Sequence, residues 1–155
     1  MTTQPSIQNR KARFKFFLFE KFEAGIALLG CEVKSIREGR VNLAESFVRV
    51  MKNEAFLFNC HITPYSKIQG HTEIDPVRIR KLLLTRAELT VLEGKMSQKG
   101  YSIVPLSMYF KKGIVKLEIA LAKGKKLQDK REDIKRRIHD RESAAAVKQH
   151  QRKGR

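Results

Sequence analysis

The 155-residue chain has no tryptophan, only four prolines and two cysteines, and fewer than half as many acidic residues as basic ones. Each shortage excludes something. Two cysteines, Cys31 and Cys60, are too few for a disulfide framework; both have apolar neighbours and read as small core residues in a reducing compartment. No run approaches the roughly 18 consecutive apolar residues of a membrane helix. Met1-Thr-Thr-Gln-Pro-Ser6 lacks the apolar stretch of an export signal, so a cytoplasmic location is expected. Cys31, Cys60, His61 and His71 show neither CxxC nor HxxxH spacing, so no metal is expected. Glycine-rich phosphate loops are absent, which leaves nucleotide cofactors unsupported. The acids are scattered among bases rather than paired for proton transfer or metal binding, so no catalytic residue is expected and the chain does not read as an enzyme.

What the chain does have is positive charge. Its 33 Lys and Arg outweigh 16 Asp and Glu, for a formal +17. Residues 1–122 carry 20 basic and 11 acidic side chains (+9), and residues 123–155 carry 13 and 5 (+8), about three times the net-charge density. Such a balance marks a polyanion binder, because every neutralised phosphate releases condensed counterions. A membrane surface fits less well: beyond Leu127 the tail offers only Ile134, Ile138 and Val147 to bury in lipid.

Local patterns predict a mainly β fold with short helices. Phe14–Leu29 is rich in aromatic and β-branched residues and predicts one long strand, bulged or bent near Gly25. Glu32–Glu38, followed by Gly39, predicts a short helix. Ser46–Met51 and Ala55–Ile62 flank the polar tip Lys52-Asn53-Glu54 as a hairpin, and Tyr101–Phe110 with Ile114–Leu121 form a second, Pro105 implying an edge or a bulge. Pro64–Thr72 reads as loop, and Asp75-Pro76 as a helix start. Thr85-Arg-Ala-Glu88 fits a capping box for a helix running towards Gly100. Five strands with two or three helices suit an antiparallel β-barrel of the oligonucleotide-binding (OB-fold) type, or alternatively an α+β sandwich. The expected division is a flexible N-terminus over 1–8, a barrel over 9–122 and a basic tail over 123–155.

The tail cannot bury enough surface to order itself. Glu132 precedes Arg136 by four residues and Asp133 precedes Arg137 by four, the better orientation for helix pairs, so a disordered-to-helical segment is expected.

Seven segments occur together and in order: Asn9-Arg-Lys-Ala-Arg13, Phe22-Glu-Ala-Gly25, Glu32-Val-Lys-Ser35, Phe56-Leu-Phe58, Arg80-Lys-Leu-Leu-Leu84, Ala122-Lys-Gly-Lys-Lys126 and Asp129-Lys-Arg131. In these the chain resembles the small protein B (SsrA-binding protein) family of bacterial trans-translation over roughly residues 9–140. The resemblance implies a non-enzymatic RNA-binding adaptor with an OB-type barrel. Its implied partner is the tRNA-like domain of transfer-messenger RNA, delivered with elongation factor Tu and GTP to stalled ribosomes. The tail would occupy the empty mRNA channel at the decoding centre of the small-subunit rRNA.

The resemblance further implies RNA contacts at Asn9, Glu23, Leu83 and Lys116, and a ribosomal tail motif at Lys123, Lys125, Lys126, Asp129, Lys130 and Arg131. At Gln128 the family often carries His or Tyr, so this chain hydrogen-bonds where others stack. Alternation places Lys116 on the face opposite Val115 and Leu117. Glu23 beside phosphates makes sense only if it accepts from a base edge or fixes a basic neighbour. Leu83, one of three adjacent leucines, reads equally as core or as a contact with an exposed base. The competing reading is a basic rRNA-binding ribosomal or ribosome-assembly protein.

Overall fold

The computed structural model describes residues 4–65 and 73–153; His71 and most of the expected Pro64–Thr72 loop lie outside that range. The first compact unit extends to Gly124, and the second begins at Lys125.

In the first unit, β1 (Ile7–Gln8) and α1 (Arg10–Lys15) lead into the long strand β2 (Phe16–Ile26). Next come α2 (Gly30–Arg37), β3 (Val41–Asn42), the hairpin β4 (Phe47–Met51) and β5 (Glu54–Phe58), and the short β6 (His61–Ile62). β7 (Arg80–Leu83), α3 (Arg86–Met96) and the hairpin β8 (Tyr101–Lys111) and β9 (Ile114–Gly124) complete it. Strands β8, β4, β5, β7, β2 and β9 pair in that order, all antiparallel, and β9 pairs again with β8. The sheet therefore closes on itself, which is how a β protein removes exposed edges. The stretch before Asn9, expected as a flexible lead, contributes β1, paired with Ser107 and Met108.

Both hairpins turn through residues in the left-handed region, Lys52 and Asn53 in the first and Lys112 and Gly113 in the second. Two successive positive φ values match the right-handed twist of the strands they join. The capping box forms as expected: Thr85 Oγ1 accepts from Glu88 N at 3.3 Å, and Glu88 Oε2 accepts from Thr85 N at 2.8 Å. The irregularity at Pro105 is a bulge, with register slipping between Pro105 and Ser107.

Three local expectations are corrected. The bulge in β2 falls between Leu18 and Lys21, while Gly25 is in regular register with neighbours on both sides. Asp75-Pro76 starts no helix, because Asp75 Oδ1 accepts from Val77 N at 3.0 Å and closes a turn. Six strands share the ring rather than five. The sixth is β7, whose inward positions are Arg80 and Leu82 while Leu83 faces out, so it lacks the apolar alternation that marks a strand.

Inside the ring, Phe22, Ala24, Leu57, Leu82, Ile103, Met108, Leu117 and Ile119 form the core with Ile36 of α2 and Leu92 of α3. On the opposite face of β8 and β9, Ala12 of α1 joins Val104, Leu106, Ala120 and Ala122 in a smaller cluster. Cys60 is buried and burial pushes its thiol up to about 11, as suits a core residue; Cys31 is only half-buried.

An ion network with Glu32 and Arg80 buried and Arg78 half-buried joins α2 to β7 and the residues just before it. Arg80 Nε donates to Glu32 Oε1 at 2.9 Å, and its remaining donors reach the carbonyls of Cys60, Arg78 and Pro76. Arg78 donates to both oxygens of Glu32, at 2.9 and 2.6 Å, and Glu32 Oε2 also accepts from Leu29 N at 2.9 Å, holding the start of α2. Burial pushes the Glu32 carboxyl up, but the hydrogen bonds from Arg78, Leu29 and Arg80 outweigh it and hold the group below its ordinary range.

The second unit is the single helix α4 (Leu127–Lys153), and none of its described side chains is buried. Lys126 N donates to Asp129 at 3.1 Å, so Asp129 occupies the helix start, where an acid complements the dipole. Asp133 pairs with Lys125 and lies 3.9 Å from Arg136.

Candidate nucleic-acid interface

The closed ring brings three of the residues singled out in the sequence to one place. Gly25 in β2 pairs with Leu83 of β7 on one side and with Lys116 of β9 on the other. Lys116 in turn pairs with Tyr109 of β8. Leu83, Gly25, Lys116 and Tyr109 therefore form one transverse row across four strands, on the outer face, because their neighbours Leu82, Ala24, Leu117 and Met108 point into the core. Leu83 is 56% exposed, so it is not a core residue. A Cβ on Gly25 would sit 3.1 Å from the Leu83 Cβ, closer than real contacts ordinarily come. Glycine here is required by that close approach, not by a bend.

Two residues before Gly25 on the same face, Glu23 is held from β8. Tyr109 Oη donates to Glu23 Oε2 at 2.5 Å, and Lys111 Nζ donates to both carboxylate oxygens at 3.0 and 3.2 Å. These bonds, Tyr109 first and then Lys111, hold the Glu23 carboxyl below its ordinary range, with a further contribution from the charge of Lys116. The same contact works in reverse on Tyr109, whose hydroxyl is pushed up to about 12 by burial and by its bond to Glu23. At neutral pH the site thus presents a fixed anion beside two ammonium groups and an apolar side chain. Next to it, Glu118 accepts from Ser107 Oγ at 3.2 Å and lies 3.7 Å from Lys21. A carboxylate fixed in this way has the chemistry to accept from a base edge or a ribose hydroxyl, and the Lys116 ammonium beside it has the charge that suits a phosphate.

Tyr109 and Lys111 were not picked out from the sequence. Their two-residue spacing is common to any exposed strand face, and only the β8–β9 register sets Tyr109 opposite Lys116 and brings both to Glu23.

Asn9 is placed differently. It is buried, its Nδ2 donates to the carbonyls of Leu43 at 3.0 Å and Pro105 at 2.8 Å, and its Oδ1 accepts from Ala12 N at 3.2 Å to cap α1. Its side-chain hydrogen bonds tie α1 to the ring rather than facing outward. Of the tail residues, Lys123 ends β9 with its ammonium over the Tyr101 ring at 5.6 Å. Lys125 pairs with Asp133, Lys126 stands just before α4, and Gln128, Asp129, Lys130 and Arg131 fall at its beginning. Among the described residues no group of three or more His, Cys, Asp or Glu could hold a metal ion, and no helix is long and apolar enough to cross a membrane.

Comparison with known proteins points to one family. The family model described as "SmpB protein" matches residues 6–149. An SsrA-binding protein of Trichodesmium erythraeum is 53% identical over 142 residues, covering 92% of this chain and 91% of that one. Another, from Caldanaerobacter subterraneus, is 54% identical over 144 residues, covering 93% and 90%. A solved chain described under "tmRNA-SmpB: a journey to the center of the bacterial ribosome" superposes with a TM-score of 0.67 at 47% identity, covering 79% of this chain and 86% of that one.

Proposed function

The chain belongs to the SmpB protein family, and from that premise we propose that it serves as the RNA-binding adaptor of trans-translation. It binds transfer-messenger RNA and brings it to stalled ribosomes. The outer row of the barrel grips the tRNA-like domain: Lys116 contacts phosphate, Glu23 accepts from a base edge or ribose hydroxyl, and Leu83 packs on an unstacked base. Tyr109 and Lys111 aim the Glu23 carboxylate. Asn9 supports this face indirectly, by fixing α1 to the ring. The tail, from Lys123 through Lys125, Lys126, Gln128, Asp129, Lys130 and Arg131, lies in the empty mRNA channel near the decoding centre. Elongation factor Tu with GTP joins through the RNA. In this role the protein works in the cytoplasm, performs no catalysis and needs no cofactor.

The observation that carries the site is the meeting of Glu23, Leu83 and Lys116 around Gly25, from three strands distant in sequence. The test is sequencing of RNA crosslinked to the protein in cells. Enrichment of transfer-messenger RNA is expected. Stoichiometric recovery with one ribosomal subunit, with no small RNA enriched, would favour an rRNA-assembly protein. With about 6–10 phosphate contacts, affinity should fall roughly 10³–10⁵-fold between about 50 and 200 mM salt, and Lys116→Ala should lower the slope by about one.

A further inference from the structure

A second group of aromatics, Phe17 and Phe19 exposed and Tyr101 half-buried, lies away from the Glu23 row. On β9 the inward positions Leu117, Ile119 and Leu121 are buried, and the next position of the same alternation, Lys123, emerges into solvent. Lys123 pairs with Phe17 of β2 and with Tyr101 of β8, so these three side chains share that face at the end of the ring. Phe17 is 45% exposed. Phe19, 48% exposed, joins them through the β2 bulge, its ring 5.6 Å from that of Tyr101 and tilted by 55°. Bulges of this kind re-aim side chains and recur beside functional sites. Lys116 and Lys123 are seven residues apart on β9, roughly 23 Å at the usual strand rise, so the two groups are separate.

We propose that Phe17, Phe19 and Tyr101, with Lys123, form a second RNA subsite that stacks unpaired bases of a single-stranded segment, whatever their sequence. The inference rests on reading this chain as an RNA binder but not on the Glu23 site. The exposed rings of Phe17 and Phe19 offer flat surfaces to bases, the half-buried Tyr101 backs them on the same face, and the ammonium of Lys123 over Tyr101 supplies a phosphate partner there. The formal charge of +17 favours an anionic occupant over a protein or a neutral ligand. Because stacking needs only a π-face, it adds affinity without base readout.

The chain has no tryptophan, so Phe19→Trp introduces a single fluorescent reporter in the full-length protein. Titration with unstructured oligoadenylate should quench it saturably, and a fully paired RNA hairpin should not. Phe17→Leu with Tyr101→Leu keeps apolar bulk but removes two rings, and should weaken oligoadenylate binding by about 5–100-fold. Circular dichroism of the double variant should match the parent. Oligoadenylate binding seen by anisotropy without quenching would overturn the proposal. So would a folded double variant that binds as tightly as the parent, including one that loses only ribosome association, which would mark a protein-docking face. Lys116→Ala separates the two sites: it should weaken the tRNA-like fragment and leave quenching by oligoadenylate intact. Quenching that persists in a protein unable to bind that fragment would remove the function proposed above and leave this subsite standing.

Discussion

The barrel and the tail carry nearly equal net charge, +9 over residues 1–122 and +8 over residues 123–155, and use it in opposite ways. In the barrel, charges are held by partners distant in sequence: Arg80 and Arg78 by Glu32, Lys111 by Glu23, Lys81 by Glu54. What remains unpaired is thereby placed at defined points on a closed sheet. In α4 no described side chain is buried, and Asp133 meets Arg136 three residues on and Lys125 eight residues back, just before the helix. Tertiary register thus assigns the roles of barrel charges, whereas tail charges depend on spacing along one helix. The first arrangement suits a shaped site, and the second suits a segment that takes its final place from its partner.

The sharpest way to break this contrast is to open the buried network. Arg80→Met should cost the barrel about 3–5 kcal/mol, because Glu32 loses one of its two arginines in a buried setting. Denaturant unfolding of the full chain measures it, and the helical signal of the tail should be unaffected. The same network gives the barrel an acid limit. The folded Glu32 carboxyl lies below its ordinary value of 4.5, so its contribution to stability is complete above that pH and fades as pH falls through the lowered folded value. Unfolding midpoints below about pH 5 should drop for the parent and flatten in Glu32→Gln, which begins from a less stable baseline.

Gly25→Ala comes next. Its Cβ meets Leu83, so a loss of about 1–3 kcal/mol is expected together with weaker binding to the tRNA-like fragment. Tyr109→Phe is milder: it leaves the ring intact but removes the first hydrogen bond to Glu23, so the carboxyl should titrate at higher pH by NMR. RNA affinity should then begin to fall at a higher pH than in the parent. The smallest structural effect belongs to the tail. Lys130→Ala with Arg131→Ala leaves the Asp129 contact in place, and barrel stability should stay within about 0.5 kcal/mol, as for exposed sites generally. Binding of transfer-messenger RNA should persist while peptide tagging on stalled ribosomes, in a reconstituted system, collapses. Equal loss of both activities would erase the functional difference between the two regions.

Much of this could be read in the chain before any coordinates. The Thr85–Glu88 capping box, both hairpins and the bulge at Pro105 are short-range chemistry, whereas Asp133 meets Lys125 and Arg136, neither of them the base expected four residues on. The Asp75-Pro76 turn is a local competitor of a helix start, but the missed strand β7 and the bend expected at Gly25 share one cause. Arg80 and Leu83 invert the usual rule, charge inside and leucine outside, because Arg80 is satisfied by Glu32 from α2, 48 residues away, and Leu83 is brought beside Gly25 from another strand. Gly25 marks a special position correctly, but its reason is the Leu83 side chain rather than a bend.

By itself, then, the sequence determined the polyanion preference, the division into a packed β region and a basic helical segment, and every element whose signals lie within a few residues. Only the tertiary structure decided that Glu23 is gripped by Tyr109 and Lys111, that Asn9 spends its amide inside the molecule, and that Phe17, Phe19 and the half-buried Tyr101 share one face at the end of the ring. The physical reason is register. Along a strand, side chains alternate by a rule that the sequence carries, but which residue of another strand stands opposite is set by closure of the whole ring, and a shift of one residue would turn each of these groups to the other face.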